Sequence, residues 1–148
     1  MQISVDIEIA NSKEQVWAAI TDIENCASFI SSIIDIQILE KPESSIVGLK
    51  WKETRLMFGK EASETMWITD SVENEYYCTR AESHGFIYIT KLSLSDFKNN
   101  TVLTMSFSSE PQTAFAKIMS VIMVMINSSI KKALRKDLED IKQHAEKS

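Results

Sequence analysis

The chain predicts an α+β fold: a curved antiparallel sheet of about seven strands wrapped around one long C-terminal helix. Three observations carry this. Residues 2–9 alternate strictly, with Ile3, Val5, Ile7 and Ile9 on one face and Ser4, Asp6 and Glu8 on the other, which is a half-buried strand. Residues 33–108 then hold about six apolar runs separated by short turn signals. Last, Thr113 to Glu146 reads as a single helix, ~50 Å long at ~1.5 Å per residue.

Each element has a local reason. After the first strand, Asn11 or Ser12 caps a helix, with Glu14 or Gln15 as the capping-box partner and Val16, Trp17 and Ile20 on the inner side. A second short helix, Glu24 to Ser31, buries Ala27, Phe29 and Ile30. Strands follow at Ile33 to Leu39, Val47 to Phe58, Glu61 to Thr69, Tyr76 to Ser83, Phe86 to Leu94 and Thr101 to Ser108. Lys41-Pro42-Glu43, Gly59-Lys60, Asn74, His84-Gly85 and Lys98-Asn99-Asn100 break them. Loops this short favour an antiparallel meander. Glu110-Pro111 opens the long helix, where proline is well placed.

That helix has two unlike halves. Ala114 to Ile126 is apolar on nearly every side, interrupted only by Lys117 and Ser120. From Asn127 on, one apolar stripe (Ile130, Leu134, Leu138, Ile141) runs along an otherwise charged helix. A helix apolar all round is buried all round or borders something apolar that is not its own core. The front half is therefore expected to be buried or to border an apolar space such as a ligand cavity.

Composition excludes several classes. The 148 residues fit one domain over 1–148. A formal net charge of −5 argues against nucleic acid as partner, because phosphate binding needs clustered cations. Lys131, Lys132, Arg135 and Lys136 are basic, but Asp137, Glu139 and Asp140 follow at once, so a solvated helix face is expected there. Cys26 and Cys78 lack metal-ligand spacing and imply no disulfide framework, which fits a reducing, cytoplasmic location. The chain opens in a strand rather than a signal sequence, and residues 114–126 are too few for a transmembrane segment. No metal or cofactor is indicated: there is no second folded histidine, no ligand-spaced carboxylate cluster and no phosphate-cradling glycine motif.

Candidate site residues come from the strand faces. Val47, Leu49 and Trp51 share a face that ends in Glu53 and Arg55, either a polar anchor in a cavity wall or a salt bridge at the sheet's end. Cys78, Arg80, Glu82 and His84 share a face opposed to Tyr77, Thr79, Ala81 and Ser83, so at most one of the sets is inside. If the first is inside, Arg80 binds a ligand carboxylate or enolate; otherwise it forms a solvent-facing ladder with Glu82. His84 sits in a turn before Gly85, where exposure is usual. Tyr88, Met105 and Phe107 are candidate cavity walls, or core filler. Phe115, Met119, Ile122 and Met123 come from the apolar helix half, whose methionines adapt to varied apolar shapes.

Element order and local signatures resemble the SRPBCC superfamily, also called START-like or birch-pollen-allergen-like, with its helix-grip fold. The resemblance covers essentially the whole chain. It is most specific over Ile7-Glu-Ile-Ala-Asn-Ser-Lys-Glu-Gln-Val-Trp17, followed by Ile20-Thr-Asp-Ile-Glu24 and Phe29. Val47-Gly48 entering a strand and the ending Leu134 to Lys142 also match. Within the superfamily the chain looks like the polyketide cyclase/dehydratase-like and coenzyme-Q-binding branches. Those branches often carry proline after the aromatic of the second helix, where this chain has Ser31-Ser32.

The resemblance implies a cavity for an apolar or amphipathic small molecule between sheet and helix. Three functions follow. The first is an intracellular carrier or sensor of a lipid, quinone or polyketide-like molecule. The second is a metal-free cyclase/dehydratase-like enzyme, in which Glu53, Arg80 or Tyr88 polarises a carbonyl. The third is a partner-binding START-like domain whose apolar helix half forms a homodimer or other interface. Fold alone does not choose among them.

Overall fold

The computed structural model describes all residues, 1–148. Strand β1 (Gln2–Ile9) is followed by helix α1 (Lys13–Thr21) and a 3-10 turn (Ile23–Ser28). Strands β2 (Ile33–Glu40), β3 (Lys50–Met57), β4 (Lys60–Val72), β5 (Tyr76–Ser83), β6 (Phe86–Phe97) and β7 (Asn100–Pro111) come next. Two helices end the chain, α2 (Ala114–Met125) and α3 (Asn127–Glu146). The seven strands form one antiparallel sheet in the order β1-β7-β6-β5-β4-β3-β2, so the first strand returns to pair with the last. The expected α+β helix-grip architecture is therefore present.

Local chemistry explains the elements. Ser12 caps α1 by accepting from the Gln15 amide at 3.2 Å. The expected second helix is a six-residue 3-10 turn instead. The β3–β4 and β5–β6 hairpins turn through left-handed pairs, Phe58-Gly59 and His84-Gly85. Gly85 has a second role: a Cβ there would lie 2.7 Å from the Thr113 Oγ1. The Gln112 amide donates to the Gly85 carbonyl at 2.7 Å, which ties this hairpin to the start of α2.

The core occupies one half of the sheet's concave face. Ile3, Val5 and Ile9 of β1, Leu92 and Leu94 of β6, and Leu103 and Met105 of β7 pack with Val16 and Ile20 of α1. Leu138, Ile141 and Ala145 of α3 close it. The Tyr77 hydroxyl donates to the Ile20 carbonyl at 2.9 Å, so α1 is fixed by a polar link as well as by packing, and burial pushes this phenol's pKa up.

The terminal helix corrects the sequence expectation in two ways. It is not one helix: α2 and α3 meet at Ile126 with a bend of 72°. Asn127, Ser128 and Ser129 follow that bend, and short polar side chains compete with the helical backbone. Nor is the apolar half buried. Only Ala116 of α2 is inside, while Phe115 is 68 % and Met125 78 % exposed. Pro111 ends β7 rather than opening the helix, and Thr113 is the cap, accepting from the Ala116 amide at 3.0 Å. The start of α2 is thus pinned to the sheet and the rest leads away from it.

Candidate functional site

Cross-strand register assigns the faces. Tyr77, Thr79 and Ala81 are buried while Glu82 is exposed, so the inner face of β5 is the tyrosine set. Pairing carries that face outward: Ala81 opposes Met66 and Tyr88, Tyr88 opposes Ser109, and Phe107 opposes Ile3. Trp51, Glu53 and Arg55 face the same side, opposite Met66, Glu64 and Ala62.

Arg80 does not belong to this wall. It lies on the outer face with Cys78, and its Nε donates to the Glu82 Oε2 at 3.2 Å in solvent. The reason is the period-two alternation of β5: once Tyr77 anchors α1, Arg80 must point the other way. The solvent-facing ladder is the reading the register selects. His84 is exposed in its turn, with Nδ1 2.7 Å from the Ser83 hydroxyl.

Glu53 and Arg55 form the centre of a buried polar network. The Arg55 Nε donates to the Glu53 Oε2 at 2.6 Å, and Nη1 donates to the Asp137 Oδ2 of α3 at 2.8 Å. Nη1 also reaches the Ser32 hydroxyl at 2.8 Å, and that hydroxyl bonds the Asp137 Oδ1 at 2.8 Å. The Trp51 indole donates to the other Glu53 oxygen at 3.3 Å. Burial lowers the affinity of Arg55 for its proton, but Glu53 and Asp137 outweigh it and hold the guanidinium charged. Both Glu53 oxygens are therefore occupied. Ser31 and Ser32 are both engaged: Ser31 donates to the Asp140 Oδ2 from its amide at 2.9 Å and its hydroxyl at 2.8 Å. These contacts clamp α3 to the sheet.

Beside the network lies an uncovered half of the concave face. Phe86, Tyr88 and Phe107 stack in a row, with centroids 5.6 and 5.8 Å apart. Tyr88, Phe107 and Met66 are only half-buried. Glu64, a residue the sequence reading did not single out, opposes Glu53 on this face. Burial, and then the Glu53 charge, raise its carboxyl above the usual 4.5, against smaller opposing effects of His84 and Arg55. Burial and the Glu64 charge likewise raise the Tyr88 phenol. At the other end of the row, the Ser109 hydroxyl is buried with no hydrogen-bond partner.

The site is therefore a partly covered aromatic surface, an open cleft with polar groups at its edges. Trp51, Glu53, Arg55, Tyr88, Met105 and Phe107 share its wall, though Trp51 and Met105 belong to the packed core. Phe115, Met119, Ile122 and Met123 are on α2: Phe115 and Ile122 are exposed, and the two methionines are half-buried. Two small crevices of about 100 and 220 Å³ lie elsewhere, against the outer sides of α3, and none of the candidate residues lines either. No group of His, Cys, Asp and Glu is arranged to hold a metal ion. Two signals pointed to the missed residues. Glu64 shares the alternation of Met66 and Ile68, and Asp137 sits within the apolar stripe of Leu134, Leu138 and Ile141.

Comparison with known proteins follows the same outline. A family model described as polyketide cyclase / dehydrase and lipid transport matches residues 1–146. No curated protein matches in sequence. Among solved structures, the chain is similar to the Zhui aromatase/cyclase from Streptomyces sp. R1128, at 14% identity and TM-score 0.78, covering 99% of this chain and 93% of that one. It is similar to Ara h 8.0201 at 13% identity and TM-score 0.76, over 100% and 99% of the two chains. A START superfamily protein from Mycobacterium smegmatis matches at 17% identity and TM-score 0.71, over 98% and 94%. At these identities the likeness is one of fold.

Proposed function

The chain belongs to the polyketide cyclase / dehydrase and lipid transport family, and on that premise we propose that it binds a hydrophobic or amphipathic small molecule in the aromatic cleft. The observation that carries this is the stacked row of Phe86, Tyr88 and Phe107 on the inner sheet face, in which Tyr88 and Phe107 are left half-buried. Flat, half-wet aromatic surface of this kind offers stacking and area burial to an apolar ligand. A lipid, a quinone or a polyketide-like aromatic all present such surface. The chain acts as a carrier or sensor, in a reducing cytoplasmic compartment that keeps Cys26 and Cys78 as free thiols.

Charge narrows the ligand's polar end. Glu53 and Asp137 share Arg55, which leaves Glu64 as an uncompensated carboxyl on the cleft. A ligand carboxylate or phosphate would be repelled there, whereas an ammonium or a hydroxyl donor gains a partner. The cyclase-like reading retains fewer groups: Glu53 is engaged on both oxygens and Arg80 is on the far face, leaving Tyr88.

The test is native mass spectrometry of the protein purified from cells, followed by titration with dodecylamine and dodecanoic acid while the intrinsic fluorescence is read. A co-purifying apolar molecule and tighter binding of the amine, by about threefold or more, are expected. Glu64→Gln should remove the preference and Tyr88→Ala should weaken both ligands. Absence of any bound molecule, with neither amphiphile binding, overturns the proposal.

A further inference from the structure

We propose that α2 is a membrane-surface element, which inserts its apolar sides into the interface of an anionic bilayer and sets the open end of the cleft against the lipid. Exposed apolar surface is the first support. Phe115, Ile118, Val121, Val124 and Met125 are each at least 59 % exposed, on a helix with only Lys117 and Ser120 as polar residues. A folded chain rarely shows water a contiguous apolar surface of this kind unless something covers it. Twelve residues give a helix ~18 Å long, too short to span a bilayer and of a size that lies in its interface.

Position is the second support. Strand pairing places the β3–β4 and β5–β6 hairpins and the end of β7 at one end of the sheet. Leu56, Met57 and Phe58, at the first of these hairpins, are exposed too. The apolar surface of that hairpin and the start of α2 thus lie at the same end of the sheet.

Charge chooses the occupant. Between Glu110 and Asp137 the chain has no acidic residue, yet it has Lys117, Lys131, Lys132, Arg135 and Lys136, in a protein whose net charge is −5. Of these, only Lys136 is held in a salt bridge, with Asp140. Cations segregated beside an apolar helix match anionic headgroups, and each one close to the surface adds to binding. A second copy of the chain fits less well, because a two-fold interface through α2 would bring the same cations together.

Co-sedimentation of the full chain with phosphatidylcholine vesicles, and with phosphatidylcholine/phosphatidylglycerol vesicles, tests this. Binding to the anionic vesicles is expected to exceed that to the neutral ones by about tenfold and to weaken with salt. Val121→Glu with Met125→Glu should abolish it, and Lys131→Glu with Lys132→Glu should reduce it by about tenfold. Val121, Met125 and Lys132 are exposed and Lys131 is half-buried, and unchanged circular dichroism confirms that both variants fold. No binding to either vesicle overturns the proposal, as does equal binding to both. A concentration-dependent dimer that Val121→Glu dissociates, without vesicle binding, also overturns it and assigns α2 to a second copy. Dodecylamine titration without vesicles reads the cleft separately, so failure of one proposal is distinguishable from failure of the other.

Discussion

Arg55 ties β3 to α3 and to the Ser32 junction. Removing one partner of a buried ion pair leaves uncompensated charge, at a cost of about 3–5 kcal/mol. Because the Arg55 side chain keeps some solvent contact, the lower end of that range applies. Arg55→Ala is expected to destabilise the fold by ~3 kcal/mol in a urea titration. Arg55→Met with Glu53→Gln and Asp137→Asn should recover most of the loss, because it removes the stranded charges. Glu64 gives the opposite sign. Its carboxyl is held above 4.5 in the folded chain, so the native state binds a proton that the unfolded state has released. Stability from this group is present below the unfolded value and falls as pH rises through the raised native one. Glu64→Gln is accordingly expected to be more stable than the parent at pH 7 by under ~1 kcal/mol. That advantage should vanish by about pH 4, and urea titrations across pH check it.

At the scale of elements, α2 and α3 are consecutive helices with opposite means of stability. The long helix α3 packs Leu138, Ile141 and Ala145 into the core and is clamped by Asp137 and Asp140. By contrast, α2 buries one alanine and is held chiefly at its start, by the Thr113 cap and the Gly85 contact. Most helical stability in water comes from packing rather than propensity, so α2 opens far more readily. Hydrogen exchange should find the amides of Ile118 to Met125 exchanging orders of magnitude faster than those of Leu138 to Ile141. Anionic vesicles should slow exchange in α2 and leave α3 unchanged. Equal protection of both helices without vesicles would contradict this account.

Across the whole molecule, the sheet's concave face is divided in two. One half is a packed core under α1 and α3; the other is an aromatic surface on which Tyr88, Phe107 and Met66 stay half-buried. That division follows from where the α3 clamp ends. Asp137 is the last residue on α3, moving towards its N-terminus, that the sheet holds by a hydrogen bond, and the 72° bend at Ile126 comes eleven residues earlier.

Strands with strict alternation could be read from the chain because period two is a property of consecutive residues. Gln2–Ile9 and Tyr76–Ser83 have their expected bounds for that reason. Caps and turn glycines were equally legible, since Ser12 and Gly85 act on neighbours or on one backbone torsion. So was the fold, which element order and the Ile7–Trp17 signature together specify. The sequence also placed Glu53 and Arg55 on one face, but Ser32 and Asp137, which complete their network, are 23 and 82 residues from Arg55. Which face of β5 lies inside was decided by Tyr77 reaching Ile20, a contact across 57 residues. The fate of the apolar helix was decided in the same way. Hydrophobicity along a helix says that its sides avoid water, but only the direction α2 takes between Thr113 and the bend at Ile126 determines what is there to cover them.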